Sequence, residues 1–269
     1  HGQSHAINKG LARATGEVFG WLNSDDLLLP GAMQAVGDAF RGHPDLVAVE
    51  GHRLLEAPNG SRERAPLNDP TRPDAMFLAP VVNQQSTYYR MDAVRNVGGV
   101  DQALHYAMDL DLWWRILFAY GPQHVRTIPQ DLAVFRLQPQ SKTMQGAEVF
   151  VIETAALLSA MAAATGQHDL VELLAIGYSD LPAVRPSNAG AQHAPLIRRM
   201  VFRFIIKWNA AIGSARQFHL FKGLHTLAGD DSGMVESELD ARWRRMRTGL
   251  AAPSWTFYRT GRKLGLWSA

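Results

Sequence analysis

The chain has 269 residues, 46% of them hydrophobic and 19% charged, enough apolar material for a sizeable core and too much for a disordered chain. It contains no cysteine, which excludes a disulfide framework, thiolate zinc sites, iron–sulfur clusters and cysteine nucleophiles, and fits a reducing compartment. The net charge of +2 hides an asymmetry: residues 1–184 carry 13 Lys/Arg against 20 Asp/Glu, whereas residues 185–269 carry 14 against 5.

Ser4 to Gly16 reads as a helix, with Ser4 as cap and Ile7, Leu11 and Ala14 on one face. Residues 17–22 are nearly continuous in apolar character, as in a strand of a parallel sheet buried on both faces. The run stops at Asn23-Ser24-Asp25-Asp26, and Pro30-Gly31 then opens a helix bearing Met33, Val36 and Phe40. Leu46 to Val49 reads as the next strand, and this alternation predicts an α/β architecture. Pro58 to Pro80 reads as a long excursion. Ser86 to Tyr89 suits a strand, followed by a short helix from Asp92 and a Gly98-Gly99 turn. Asp109 to Leu117 reads as a helix with an acidic first turn, stopped by Gly121, and 125–135 as a further strand. From about Glu148 the pattern is helical. Val149 to Thr165 is short of the roughly 20 apolar residues of a bilayer span and carries Glu153, so a buried amphipathic helix is expected.

Three groups can carry chemistry. Asn23, Asp25 and Asp26 at a strand end make a hard, oxygen-rich cluster suited to Mg²⁺ or Mn²⁺ completed by substrate phosphates; turn and cap residues have the same composition. Asp109 and Asp111 could act as general base or simply cap their helix. Arg136 and Lys142 could neutralise phosphate or be surface charge. Tyr88 and Trp113 could stack on sugar rings or fill the core, and His105 could line the same site. Neither nucleotide-binding glycine loop, zincin motif nor esterase elbow occurs.

Taken in order, five segments resemble a family 2 glycosyltransferase of the GT-A fold. They are Gly2 to Gly10, Gly16 to Asp26 with its DxD-type end, Gln85 to Arg90 followed by Val97 to Asp101, Tyr106 to Arg115, and Leu132 to Arg136 with Ser141-Lys142-Thr143. The resemblance implies a Rossmann-like mixed sheet flanked by helices over residues 1–145. A basic, mostly helical region would follow over 146–269. It also implies inverting, metal-dependent transfer of a sugar from a UDP-, GDP- or dTDP-sugar to a hydroxyl of a glycan or lipid-linked acceptor, in cell-surface glycan assembly. On that likeness Asp25 and Asp26 hold Mn²⁺ or Mg²⁺, and Ala6, Asn8, Lys9, Asn23, Asp25 and Arg136 lie near the donor. Asp109 is the base, assisted by Asp111, with Tyr88, His105 and Trp113 on the acceptor side. Asp26 and Asp109 are expected to face each other across one open cleft.

The family normally opens with strands that hold the nucleobase. Their absence, with a start at His1-Gly2-Gln3-Ser4, leads to the expectation of an N-terminally truncated copy of a longer protein. Two other readings follow from the same residues: a non-catalytic remnant or binding module, and a metal-dependent phosphohydrolase or nucleotidyltransferase. The segments Arg198 to Trp208 and Trp243 to Arg247 mix cations with bulky apolar residues. They suit either peripheral contact with an anionic membrane or a helical cap that buries its apolar side. The expected setting is cytoplasmic, at the inner membrane face, with no nucleic-acid partner.

Overall fold

The structure is a computed structural model, and it describes residues 2–137, 146–209, 211–229, 237–247 and 249–263. Ser141, Lys142 and Thr143 lie outside the described residues. The chain divides into two compact units, His1–Glu153 and Thr154–Ala269.

The first unit is a mixed α/β layer structure. Its strands are β1 (Val18–Phe19), β2 (Leu27–Leu28), β3 (Ala48–Glu56), β4 (Arg62–Arg64), β5 (Thr87–Arg90) and β6 (Val125–Arg136). They form one sheet in the order β1-β5-β3-β6-β2, with β4 paired to β3. The expectation of a parallel setting for residues 17–22 does not hold. Only two of them pair, and β1 runs antiparallel to β5, with Phe19 opposite Tyr89. Among the described residues the sole parallel ladder joins β3 to β6, whose register shifts twice around His52. Gly20 follows β1 because the Tyr88 ring lies where a side chain would go: a Cβ there would come within 2.6 Å of it.

The helices of this unit are α1 (Gln3–Arg13), α2 (Ala32–Gly42), α3 (Ala75–Leu78), α4 (Met91–Asn96) and α5 (Met108–Tyr120). Ser4 does not cap α1. It lies inside the helix, and its hydroxyl donates to the Leu104 carbonyl at 2.6 Å. α2 presents Ala32, Val36 and Phe40 to Leu46, Val49, Tyr88, Ile128 and Leu132, and Met33 turns outward. Each large side chain buried in this cluster contributes about 1.5–3 kcal/mol. α5 is almost wholly buried, and its two indoles donate to the carbonyls of Met76 and Phe77, tying the excursion after β4 onto it. The same excursion is pinned to β3 by the buried Glu50, which accepts from the Asn68 backbone and side chain.

α6 (Ala147–Ala164) spans the boundary between the units. It is apolar all round rather than amphipathic as expected, with a mean hydropathy of 1.6. On length and composition it could cross a membrane, yet Ala155, Leu157, Leu158 and Met161 are buried inside the fold.

The second unit continues with α7 (His168–Gly177), α8 (Ala194–Trp208), α9 (Ala215–Ala228), α10 (Ser237–Arg247) and α11 (Trp255–Lys263). Its core joins Leu170, Leu173 and Leu174 with Ile197, Phe202, Ile205, Phe218, Phe221, Trp243 and Tyr258. Most bulky residues of the two basic-apolar segments lie in this core, whereas Trp208 is exposed. Phe202, Phe204, Trp243 and Met246 are buried.

Candidate active site

The acidic turn between β1 and β2 is held by a set of amides. Asn23 Oδ1 accepts from Gln3 of α1 at 2.7 Å, and its Nδ2 reaches Asp26 Oδ2 and Gln84 Oε1, each at 3.3 Å. Gln85 Nε2 donates to Asp26 Oδ2 at 3.0 Å, and Gln84 donates to the Trp21 carbonyl. Asn23 is therefore a brace whose amide is already occupied. The two acids behave differently: Asp25 is half-buried, but Asp26 is only 4% exposed. Burial, with the neighbouring Asp25 charge adding, outweighs the Gln85 and Asn23 amides and raises the Asp26 carboxyl above the usual range. The open approach expected for Asp26 is thus corrected, because Gln85 and Asn23 cover it.

Asp109 sits in the first turn of α5, half-buried, with its Oδ1 accepting from the Leu110 N–H at 2.8 Å. Burial pushes its carboxyl up to about 6; the Leu110 amide, its own amide and Arg53 act in the opposite sense, and Glu153 adds to the rise. A carboxylate poised there suits proton removal near neutral pH.

Asp111 is not a second member of this site. It is sealed from solvent and bound to Arg115 at 2.5 Å, and Arg115 also donates to the carbonyls of Val97 and Gly99. Two residues along a helix turn the side chain about 200°, so Asp109 and Asp111 point to different faces. The pair Asp111–Arg115 locks α5 to the Gly98-Gly99 turn, where both glycines have positive φ.

The residue that joins the two acids is Arg53 of β3. Burial lowers its pKa, and Asp26 and Asp109 both pull it back up, so its guanidinium lies within electrostatic reach of each. Its Cζ stands 5.0 Å over the Phe135 ring, and its Nε is buried without a partner. The sequence reading ended that strand at Val49 and missed Arg53. A cation in a run that continues to Leu54-Leu55 was the available signal, since charges are seldom buried unless paired. Gln84 and Gln85 were missed as well; two amides directly before the strand at Thr87 were their signal.

Several expected residues are placed elsewhere. Tyr88 is 7% exposed in the α2 cluster, its hydroxyl 3.4 Å from the Gln85 carbonyl, and burial pushes its pKa up to about 12. Trp113 is fully buried core. Neither can take an acceptor ring, because the core already covers both. Asn8 spends both ends of its amide on the Val100 backbone, at 2.7 and 3.0 Å, so it staples α1 rather than holding a donor. Ala6 and Lys9 are exposed on α1, and His105 is exposed in the segment before α5. Arg136, by contrast, stays beside the acidic turn: its backbone N–H acts on the Asp26 carboxyl, while its side chain is exposed with Nε 3.5 Å from Glu56. Among the described residues no three His, Asp or Glu side chains gather into a protein-only metal cage.

Residues 1–97 match the family described as Glycosyl transferase family 2. The chain is also similar to the amylovoran biosynthesis glycosyltransferase AmsE of Erwinia amylovora, with 28% identity over 138 residues. That match covers 50% of this chain and 50% of AmsE, so the chain spans about half the length of this relative. The crystal structure of S. aureus TarS aligns over 96% of this chain and 40% of its own, at 15% identity and a TM-score of 0.45, a likeness too distant to carry an argument.

Proposed function

We propose that the chain catalyses inverting transfer of a sugar from a UDP-, GDP- or dTDP-sugar to a hydroxyl of a glycan or lipid-linked acceptor, in surface glycan assembly. The observation that carries this reading is Arg53, which feels both Asp26 from the matched segment and Asp109 from α5. This shared influence supports reading the two acids as parts of one site.

Asp109 takes the proton of the acceptor hydroxyl as that oxygen bonds to the anomeric carbon. The bond from that carbon to the diphosphate oxygen breaks on the opposite face, and the diphosphate leaves with the electron pair. Arg53 lies where negative charge is concentrated. Its unpartnered Nε can donate to an incoming oxygen.

The turn also fits a divalent cation. Asp26 Oδ1 and Gln85 Oε1 are buried oxygens with no donor, and Asp25 lies beside them. All are hard ligands of the kind Mg²⁺ and Mn²⁺ prefer. When bound, such an ion supplies positive charge to the leaving diphosphate. Contact with an anionic membrane at the cytoplasmic face, for a lipid-linked acceptor, falls to the exposed Trp208, Phe257, Arg259 and Lys263.

The test is thermal stability with UDP, GDP and dTDP, each with Mn²⁺ or Mg²⁺, since a ligand that binds only the folded chain raises the Tm. One nucleotide should stabilise the wild type in a metal-dependent way, and Asp26→Ala should remove the metal-dependent part. Turnover, read as nucleoside diphosphate release, should rise with pH through about 6 as Asp109 loses its proton. A wild-type chain that none of the three nucleotides stabilises, and that turns over no corresponding sugar, overturns the proposal.

A further inference from the structure

α6 is an apolar helix with one acid in its interior, Glu153, which is 3% exposed. Burying a carboxylate costs several kcal/mol unless hydrogen bonds satisfy it. Here three consecutive backbone amides do so. The His105 N–H donates to Oε1, and the Tyr106 and Ala107 N–H groups donate to Oε2, each at 2.8 Å. These are the last three residues before α5, and no side chain of the cap residue Ala107 serves the helix start. The N–H groups of the segment leading into α5, and the positive end of its helix dipole, are therefore met by a carboxylate from 46 to 48 residues away. From the other side, Ser4 of α1 donates to the Leu104 carbonyl and to Met108 Sδ. The segment that delivers Asp109 is thus gripped at both of its edges.

We propose that Glu153 is a positioning residue of the active site: its carboxylate fixes the backbone of 105–107 so that Asp109, two residues further on, presents its oxygen to the acceptor hydroxyl. This rests on the assignment of Asp109 as base. A misplacement of about 1 Å at such a position can cost on the order of 10²-fold in rate. Glu153 also acts through space. The charged and titratable groups that face Asp109 are Arg53 from β3, Tyr89 from β5 and Glu153 from α6. Glu153 is the one of these whose negative charge disfavours the Asp109 carboxylate, and so favours its holding a proton once taken.

The experiment compares the full chain with Glu153→Gln and Glu153→Asp. Its probes are a panel of UDP-, GDP- and dTDP-hexoses, with nucleoside diphosphate release as readout. In parallel, the Asp109 carboxyl is titrated by NMR with Asp109→Asn for assignment, and amide exchange is followed at 105–107. Glu153→Gln should lower kcat about 10²-fold with donor KM unchanged within about 2-fold. It should also shift the Asp109 midpoint down by about half a pH unit and speed exchange at 105–107. Glu153→Asp, which keeps the charge, should hold the midpoint near wild type and recover part of kcat. Wild-type kcat and an unmoved Asp109 midpoint in Glu153→Gln overturn the proposal. So does a loss of kcat that simply follows Tm and that Asp does not rescue. Should the wild type turn over none of the panel, the transferase reading fails, and the titration and exchange still decide whether Glu153 holds this segment.

Discussion

The two units treat buried polarity in opposite ways. Of the fifteen buried polar or charged residues among those described, thirteen lie in the first unit and only Thr154 and Arg203 in the second. The second unit is a conventional apolar core of helices. The first seals away Asp26, Glu50, Asp111, Arg115 and Glu153. Each is costly to bury and tolerable only where hydrogen bonds or an ion pair compensate. Asp111, Arg115 and Glu153 are compensated, and they brace α5. Asp26 Oδ1, Gln85 Oε1 and Arg53 Nε are not, and they surround the acidic turn. The compensated groups brace the scaffold, and the three orphaned atoms Asp26 Oδ1, Gln85 Oε1 and Arg53 Nε are those that the proposed substrate and cation would meet.

The sharpest way to break that contrast is Asp109→Asn. Turnover should fall about 10³-fold or more, while nucleotide-induced stabilisation persists. Full turnover in this variant would remove the base and with it the catalytic reading.

Arg115→Met comes next. It removes the ion-pair partner of the buried Asp111 carboxylate, and should cost about 3–5 kcal/mol in urea unfolding. A loss under about 1 kcal/mol would place the Asp111–Arg115 pair outside the bracing set.

Glu50 provides a pH test. Burial pushes its pKa up to about 7, against 4.5 for the ordinary group, although the Asn68 hydrogen bonds pull it down. The folded chain therefore holds a proton that the unfolded chain releases. The associated stability is complete below pH 4.5 and is lost as pH rises through about 7, to the extent of roughly 3 kcal/mol. Glu50→Gln keeps an acceptor for Asn68 and cannot ionise. The difference in unfolding free energy between it and wild type should grow in favour of the variant between pH 4.5 and 7.5. A difference that stays constant over this range would count against a buried, proton-holding Glu50.

The smallest effect belongs to Tyr88→Phe. Its hydroxyl makes one long bond of 3.4 Å in the α2 cluster, so stability should change by less than about 1 kcal/mol and KM for acceptor should not move. A raised acceptor KM would return Tyr88 to the site.

Much of the first unit was legible because its signals are local. Helix periodicity, the Pro30-Gly31 opening of α2, the Gly98-Gly99 turn and the Gly121 stop needed only neighbouring residues. Asp111 could have been assigned to its pair from sequence too, since Arg115 follows at i+4 on the same helix face. The strand direction of 17–22 was misread because an apolar run records burial and says nothing of which neighbour pairs with it.

The sequence by itself determined the kind and order of most elements of the first unit, the acidic turn at 23–26 and the acidic start of α5, because sterics, capping and periodicity act over a few residues. Only the tertiary structure decided that Asp26 is buried while Asp25 is half-buried, that Arg53 feels both Asp26 and Asp109, and that Glu153 closes the start of α5. Those relations join residues tens of positions apart, and no local propensity encodes which distant side chain a fold will carry to a given amide.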